Sequence, residues 1–242
     1  MFEASFFSKG RLFGCYHPAG DITADRLLVL CPPLFDEYRR CYKALAELAK
    51  GCAAEGTHVF RFDYFGTGES WGLLEEATAE AWVNDVRDAI EEGMALSGAG
   101  RVYLCGVRFG ATLAAQVQHP AIVEYIFWDL VAHGADYLKH LAQTNADVER
   151  LQIESARYSS VIPTPVVYEM FHLHAGLSAS IGALQANVAE LKKKARVHQV
   201  VSQEMPTVDG VEFSGQSYAW PTLHKGLWLP KAPLEAIARR LT

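Results

Sequence analysis

The sequence has no apolar run long enough to cross a bilayer as a helix, so no membrane span is expected. It has no excess of positive charge either. Lys and Arg number 22 against 28 Asp and Glu, a formal net charge of −6. That balance argues against nucleic acid or an anionic membrane as the main partner. Cysteines are few and unpaired in pattern: Cys15, Cys31, Cys41, Cys52 and Cys105. An odd number with no paired spacing argues against a disulfide framework and against zinc. No spacing of His, Cys or carboxylates fits a known ligand set, so neither a metal nor a cofactor is expected. The first residues lack a basic stretch followed by a long apolar one, so no signal peptide is expected and the cytoplasm is the expected location. No internal repeat and no low-complexity segment stands out.

What is present is a chain of 242 residues, half of them hydrophobic. That suffices for one full α/β core with a small insertion. Phe2–Phe7 and Arg11–His17 read as strands joined in a hairpin at Lys9-Gly10. Arg26–Leu30 is a continuous apolar run stopped by Pro32-Pro33, the mark of a buried strand. Tyr38–Ala54 has helical periodicity, His58–Phe62 reads as a strand, and Thr78–Leu96 as an amphipathic helix. Val102–Cys105 is a strand, Ala111–Gln118 a helix, and Ile122–Trp128 a strand ending at Asp129. Strands alternating with helices predict a mostly parallel sheet covered on both faces. From about Gly134 to Lys194 the pattern changes to helical segments, Asp136–Arg150 and Ser178–Lys193, around Ile162-Pro-Thr-Pro165. This stretch reads as a cap inserted over the sheet, dividing the chain into core (1–133), cap (134–194) and core (195–242). Val197–Val201 resumes the strand pattern, Asp209-Gly210 is a two-residue hairpin signal, and Pro233–Leu241 reads as a closing helix.

One motif carries chemistry. Val102–Cys105 runs into Gly106-Val-Arg108-Phe-Gly110 and then directly into a helix. Strand, Gly-x-Ser-x-Gly and helix make a nucleophile elbow, and here Arg108 holds the central position. A guanidinium stays protonated and cannot attack a carbonyl. A literal Gly-x-Ser-x-Gly does occur, Gly68-Glu-Ser70-Trp-Gly72, but it follows its strand through a loop and no helix comes directly after it. Asp63 and Ser70 read as hydrogen bonders that fix this loop. Ser70 as nucleophile is the outlying alternative.

Several segments together resemble one branch of the α/β-hydrolase superfamily, the hydrolases associated with exosortase A systems in bacteria. They are Cys31-Pro-Pro-Leu-Phe-Asp-Glu37, Arg61-Phe-Asp-Tyr-Phe-Gly-Thr-Gly-Glu-Ser70, the arginine-bearing elbow, Trp128-Asp129 and His174-Ala-Gly-Leu-Ser178. The likeness is good over about residues 25–135. It implies an α/β-hydrolase fold with a small helical cap and a site at the C-terminal ends of the strands. It also implies that the third and sixth strands flank the fifth, which brings Asp36, Glu37 and Asp129 near Arg108 and predicts a bidentate ion pair with one of them. A base would follow the last strand, where His224 stands, and an acid would be Asp129 or Glu204. Leu34, Phe35, Phe109, Tyr137, His172 and His174 are the candidates for lining a substrate pocket. Three functional readings stay open. The first is an enzyme acting on a small acyl, ester, thioester or carboxylate-bearing substrate without an acyl-enzyme, in a bacterial biosynthetic pathway. The second is a pseudo-hydrolase serving as a binding or assembly partner, with Arg108 only tying the site together. The third is a serine hydrolase using Ser70. A homodimer is the default for a protein of this size.

Overall fold

A computed structural model describes residues 2–21, 23–144, 173–202, 212–216 and 230–241. Eight strands form one sheet: β1 (Glu3–Phe7), β2 (Leu12–His17), β3 (Arg26–Cys31), β4 (His58–Phe62), β5 (Arg101–Val107), β6 (Ile122–Trp128), β7 (Arg196–Ser202) and β8 (Glu212–Gln216). Their order across the sheet is β1-β2-β4-β3-β5-β6-β7-β8. From β4 to β8 every neighbouring pair is parallel, while β2 is antiparallel to both β1 and β4. The helices are α1 (Phe35–Ala54), α2 (Ala79–Ser97), α3 (Phe109–Ala114), α4 (134–144), α5 (Ala175–Ala183), α6 (Val188–Leu191) and α7 (Lys231–Ala238).

The apolar runs follow from the layering. Leu27, Val29 and Cys31 enter the core under α2 and α3, whereas Leu28 and Leu30 enter the core under α1 and α7. Strand side chains alternate between faces, so a strand covered on both faces must be apolar at every position. β5 obeys the same rule, with Val102 and Leu104 on one side and Tyr103, Cys105 and Val107 on the other. Burying each such Leu or Val removes enough apolar surface to contribute about 1.5–3 kcal/mol.

Local chemistry sets the ends of the elements. Thr78 caps α2 by accepting from the Ala81 N–H at 3.1 Å, and Gly98 stops it with φ of 70°. The hairpin between β1 and β2 turns through Ser8, Lys9 and Gly10, all at positive φ. At the sheet's other end, buried Glu124 meets Arg240 at 2.7 Å and Arg196 at 3.1 Å, which ties the chain after α7 to β6.

The structure departs from the sequence pattern in two places. α1 starts three residues earlier than the periodicity suggests, at Phe35, so that Asp36 and Glu37 fall in its first turn. The helix expected over Ser178–Lys193 is two helices, because Leu184 is extended and Asn187 begins α6 anew by capping the Glu190 N–H. β8 runs parallel to β7, and the hairpin signal Asp209-Gly210 lies outside the described residues.

One buried group makes the fold acid-sensitive. His17 is 2 % exposed, stacked on Phe2 at 5.4 Å, and its Nε2 receives the Arg61 Nε–H at 3.2 Å. Burial, then the Arg61 charge, lowers its pKa from 6.5 to about 4. The unfolded chain therefore binds the proton more readily, and stability present above pH 6.5 is lost as pH falls toward 4. Asp85, raised to about 6 by burial, works in the opposite sense over the same window. The His17 contribution is thus read as a difference. His17→Gln should flatten the acid limb of a stability–pH curve by up to about 1.4 kcal/mol per pH unit, measured by urea denaturation. Parallel curves for the two proteins would refute the assignment.

Candidate active site

The C-terminal tips of β3, β5 and β6 converge at the elbow, and the first residue of α1 and the residues that follow β5 and β6 carry backbone strain. Phe35, Arg108 and Asp129 have φ of 55°, 54° and 48°. Non-glycine residues held at positive φ cost of order 1–3 kcal/mol each and persist only where the surroundings over-determine them. Two glycines allow the crossing. A Cβ on Gly106 would sit 2.3 Å from Ala111 Cα, and one on Gly110 would sit 2.2 Å from the Pro32 carbonyl oxygen. The strand–turn–helix of the motif is therefore real, with the Arg108 N–H bonded to the Trp128 carbonyl at 2.9 Å.

The Arg108 side chain is only 8 % exposed and meets Glu37, itself 9 % exposed, through one bond from Nε to Oε1 at 2.8 Å. The pair expected from the motif is present, but it is a single contact rather than a fork. Burial works against the guanidinium's charge. The Glu37 carboxylate beside it outweighs that effect and holds the Arg108 pKa above its ordinary value. Glu37 lies in the first turn of α1, where the helix dipole favours a carboxylate. Of the other acids, Asp36 bonds Arg40 at 2.5 Å. Asp129 is fully buried and accepts the Ser202 N–H at 2.7 Å, so it braces β6 against β7 while adding to the field at Arg108.

α4 closes over this pair. Tyr137 is fully buried, its hydroxyl donating to Glu37 Oε2 at 3.4 Å. Its ring stacks on Phe109 at 4.7 Å and faces Phe35 at 6.4 Å. Burial, then Glu37, keeps the phenol well above its ordinary pKa, so it stays a neutral donor. One turn further along α4, His140 is half-exposed with Nε2 at 3.9 Å from Glu37 Oε1. Burial lowers its pKa, Glu37 opposes this and Arg108 adds to it, leaving a neutral imidazole near pH 7.

The structure thus brings together Arg108, Glu37, Phe35, Phe109 and Tyr137, with Leu34 buried at the start of α1. It does not bring His174 to Arg108 by any described contact. That ring caps α5 by accepting from Leu177 N–H at 3.2 Å, and its other nitrogen faces the Ala77 carbonyl at 3.3 Å. His172, Glu204 and His224 lie outside the described residues. Ser70 donates to the Asp63 carbonyl at 2.6 Å and accepts from Phe13 N–H at 2.9 Å, with no described histidine beside it. These two bonds brace the loop after β4. His140 is the residue the sequence reading missed. The available signal was its place three residues after Tyr137 on a helix, which puts both side chains on one face. Among the described residues, no group of three His, Cys, Asp or Glu could hold a metal ion.

Removing one partner of a buried ion pair strands the other's charge, whereas replacing both with apolar groups does not. Arg108→Ala should therefore lower stability by about 3–5 kcal/mol, and the double change Arg108→Met with Glu37→Leu should recover most of that loss. Urea denaturation of the three proteins measures both. An unchanged midpoint for Arg108→Ala would show that the pair carries no such weight.

No family model matches the chain, and no curated protein matches it. Solved structures do. A serine hydrolase homologue from Coxiella burnetii covers all of this chain and 95 % of its own, with a TM-score of 0.56 and 17 % identity. Proline iminopeptidase of Mycobacterium smegmatis covers all of this chain and 97 % of its own, with a TM-score of 0.61 and 16 % identity. A thioesterase domain from the curacin biosynthetic pathway covers all of this chain and 99 % of its own, with a TM-score of 0.58 and 16 % identity. At such identities the likeness concerns the fold. The sheet order, the helices on both faces and these neighbours together establish that the chain has the α/β-hydrolase fold.

Proposed function

We propose that this hydrolase-like protein acts on a small acyl, ester, thioester or carboxylate-bearing substrate without forming a serine acyl-enzyme. The observation that carries this reading is the buried Arg108–Glu37 pair at the elbow, with the half-exposed His140 beside it. A carboxylate behind an imidazole is a general-base arrangement. Neutral His140 would take a proton from water as its oxygen attacks the acyl carbonyl, and Glu37 would stabilise the imidazolium. Collapse of the tetrahedral intermediate would break the bond to the alkoxide or thiolate, which takes the proton back from His140 and leaves the free acid. Arg108 would supply positive charge to the developing oxyanion or to a substrate carboxylate. Phe35, Phe109 and Tyr137 would hold the apolar part, with segment 134–194 acting as a cap. A lyase or cyclase reaction uses the same groups, with the proton taken from carbon or from a substrate hydroxyl. The names of two structural neighbours, a thioesterase domain and an iminopeptidase, fit a site for acyl groups. The exosortase-type motifs favour a bacterial biosynthetic setting, and a soluble cytoplasmic protein is part of the same proposal.

A second reading is favoured by a specific observation. Tyr137 is fully buried and stacked down onto Phe109, so the elbow is closed in this structure. A pseudo-hydrolase that binds a partner while Arg108 locks a dead site would look the same.

Kinetics separates the two. A fluorophosphonate probe should leave the wild-type protein unlabelled. Against a panel of acyl thioesters and aryl esters, turnover should fall about 10²–10⁴-fold in His140→Ala and in Glu37→Gln. The rate should decline as pH drops through a midpoint below the ordinary histidine value of 6.5, because the base must be unprotonated. Turnover indifferent to both variants would overturn the assignment. Absence of turnover across the panel would favour the pseudo-hydrolase.

A further inference from the structure

A second cleft, of about 490 Å³, lies on the α1 side of the sheet between α1, β2, β4 and the loop that follows β4. It shares none of Arg108, Glu37, Phe109 or Tyr137 with the elbow. Its size is that of a small-molecule site. The floor is apolar, made by Phe13 and Leu30, and α1 lends it Tyr38 and Tyr42. Tyr42 leaves a large ring 47 % exposed at the mouth.

Two cations line this cleft, Arg39 and Arg61. Arg61 is partly buried and fixed in place, because its Nε donates to His17. That partner brings no negative charge, since burial and Arg61 itself depress the His17 pKa and keep the ring neutral near pH 7. Among the described residues, no carboxylate forms an ion pair with Arg61 or Arg39. The nearby Asp63 is directed to its own loop: Oδ1 accepts the Tyr38 hydroxyl at 2.6 Å and Oδ2 the Glu69 N–H at 3.0 Å. Glu69 itself is exposed at the rim. A partly desolvated guanidinium with a neutral hydrogen-bond partner retains its demand for an anion. Aromatic rings beside it suit a flat apolar body, and Arg39 adds a second charge for the head.

We propose that this cleft is a binding site, separate from the elbow, for a small aryl oxyanion. Arg61 and Arg39 hold the anionic head, and Tyr42 with the Phe13–Leu30 floor holds the ring. The proposal is independent of whether the elbow is catalytic.

Isothermal titration with benzoate and with phenyl phosphate tests it, and the stronger of the two identifies the head group as carboxylate or phosphate. Inorganic phosphate serves as a ringless control. Saturable binding of one aryl anion is expected, weakened at least tenfold by Arg61→Gln, partly retained in Arg61→Lys, and weakened severalfold by the surface change Tyr42→Ala. Arg108→Gln should leave it unchanged. Absence of saturable binding for both aryl anions would overturn the proposal. So would affinity unaffected by Arg61→Gln, loss confined to Arg108→Gln, or inorganic phosphate binding as tightly as phenyl phosphate.

Discussion

A permanent cation is held out of water at the tip of the central strand, and a carboxylate from the neighbouring helix meets it. The contact between Arg108 and Glu37 is one bond of 2.8 Å, yet the surrounding structure is arranged around it. A lone guanidinium in that position would carry a desolvation penalty of several kcal/mol. Placing Glu37 within reach requires α1 to begin at Phe35, separated from the proline pair by one residue. That start in turn requires positive φ at Phe35. The charge pair and the strained backbone are therefore one feature seen at two levels.

The same constraint explains the crowding at the elbow. α3 can leave β5 so sharply only because Gly106 and Gly110 present no Cβ to the backbone of the crossing segments. Asp129 at the tip of β6 is also strained, and it bonds across to β7 through Ser202. Strain is thus stored at the start of α1 and after the tips of β5 and β6, within one small region, and Tyr137 from α4 lies on top of it. Strain of this kind collects at functional sites, where rigid neighbours hold side chains in positions the chain would not choose alone. On the opposite face the sheet is covered differently. Between α1, β2 and β4 a cleft remains, and Arg61 reaches it from β4.

The sheet was legible because its chemistry is local. Apolar continuity in Arg26–Leu30 and Ile122–Trp128, the proline stop after β3 and the glycines of the elbow each act over a few residues. The break after α5 was not legible. Residues 178–193 keep an apolar pattern compatible with one helix, and only packing against the segment around His133, through a bridge to Gln185, extends the chain at Leu184. His174, a candidate for lining the pocket, has its ring at the N-cap of α5, a role that depends on where a helix starts. His140 escaped notice because nothing in its neighbours marks it until α4 is laid against α1.

By itself the sequence determined the alternation of strands and helices, the burial of both sheet faces, and the presence of a guanidinium at the centre of the Gly106–Gly110 turn. These follow from periodicity, from backbone sterics and from the chemistry of one side chain. Only the tertiary structure decided which acid answers Arg108, since Glu37 is 71 positions away along the chain and competes with Asp36 and Asp129. It likewise decided that His140 stands beside that pair and that Arg61 faces a cleft with a neutral partner. Electrostatic partnership depends on distance in space and on the water excluded between groups, and neither is written in the order of residues.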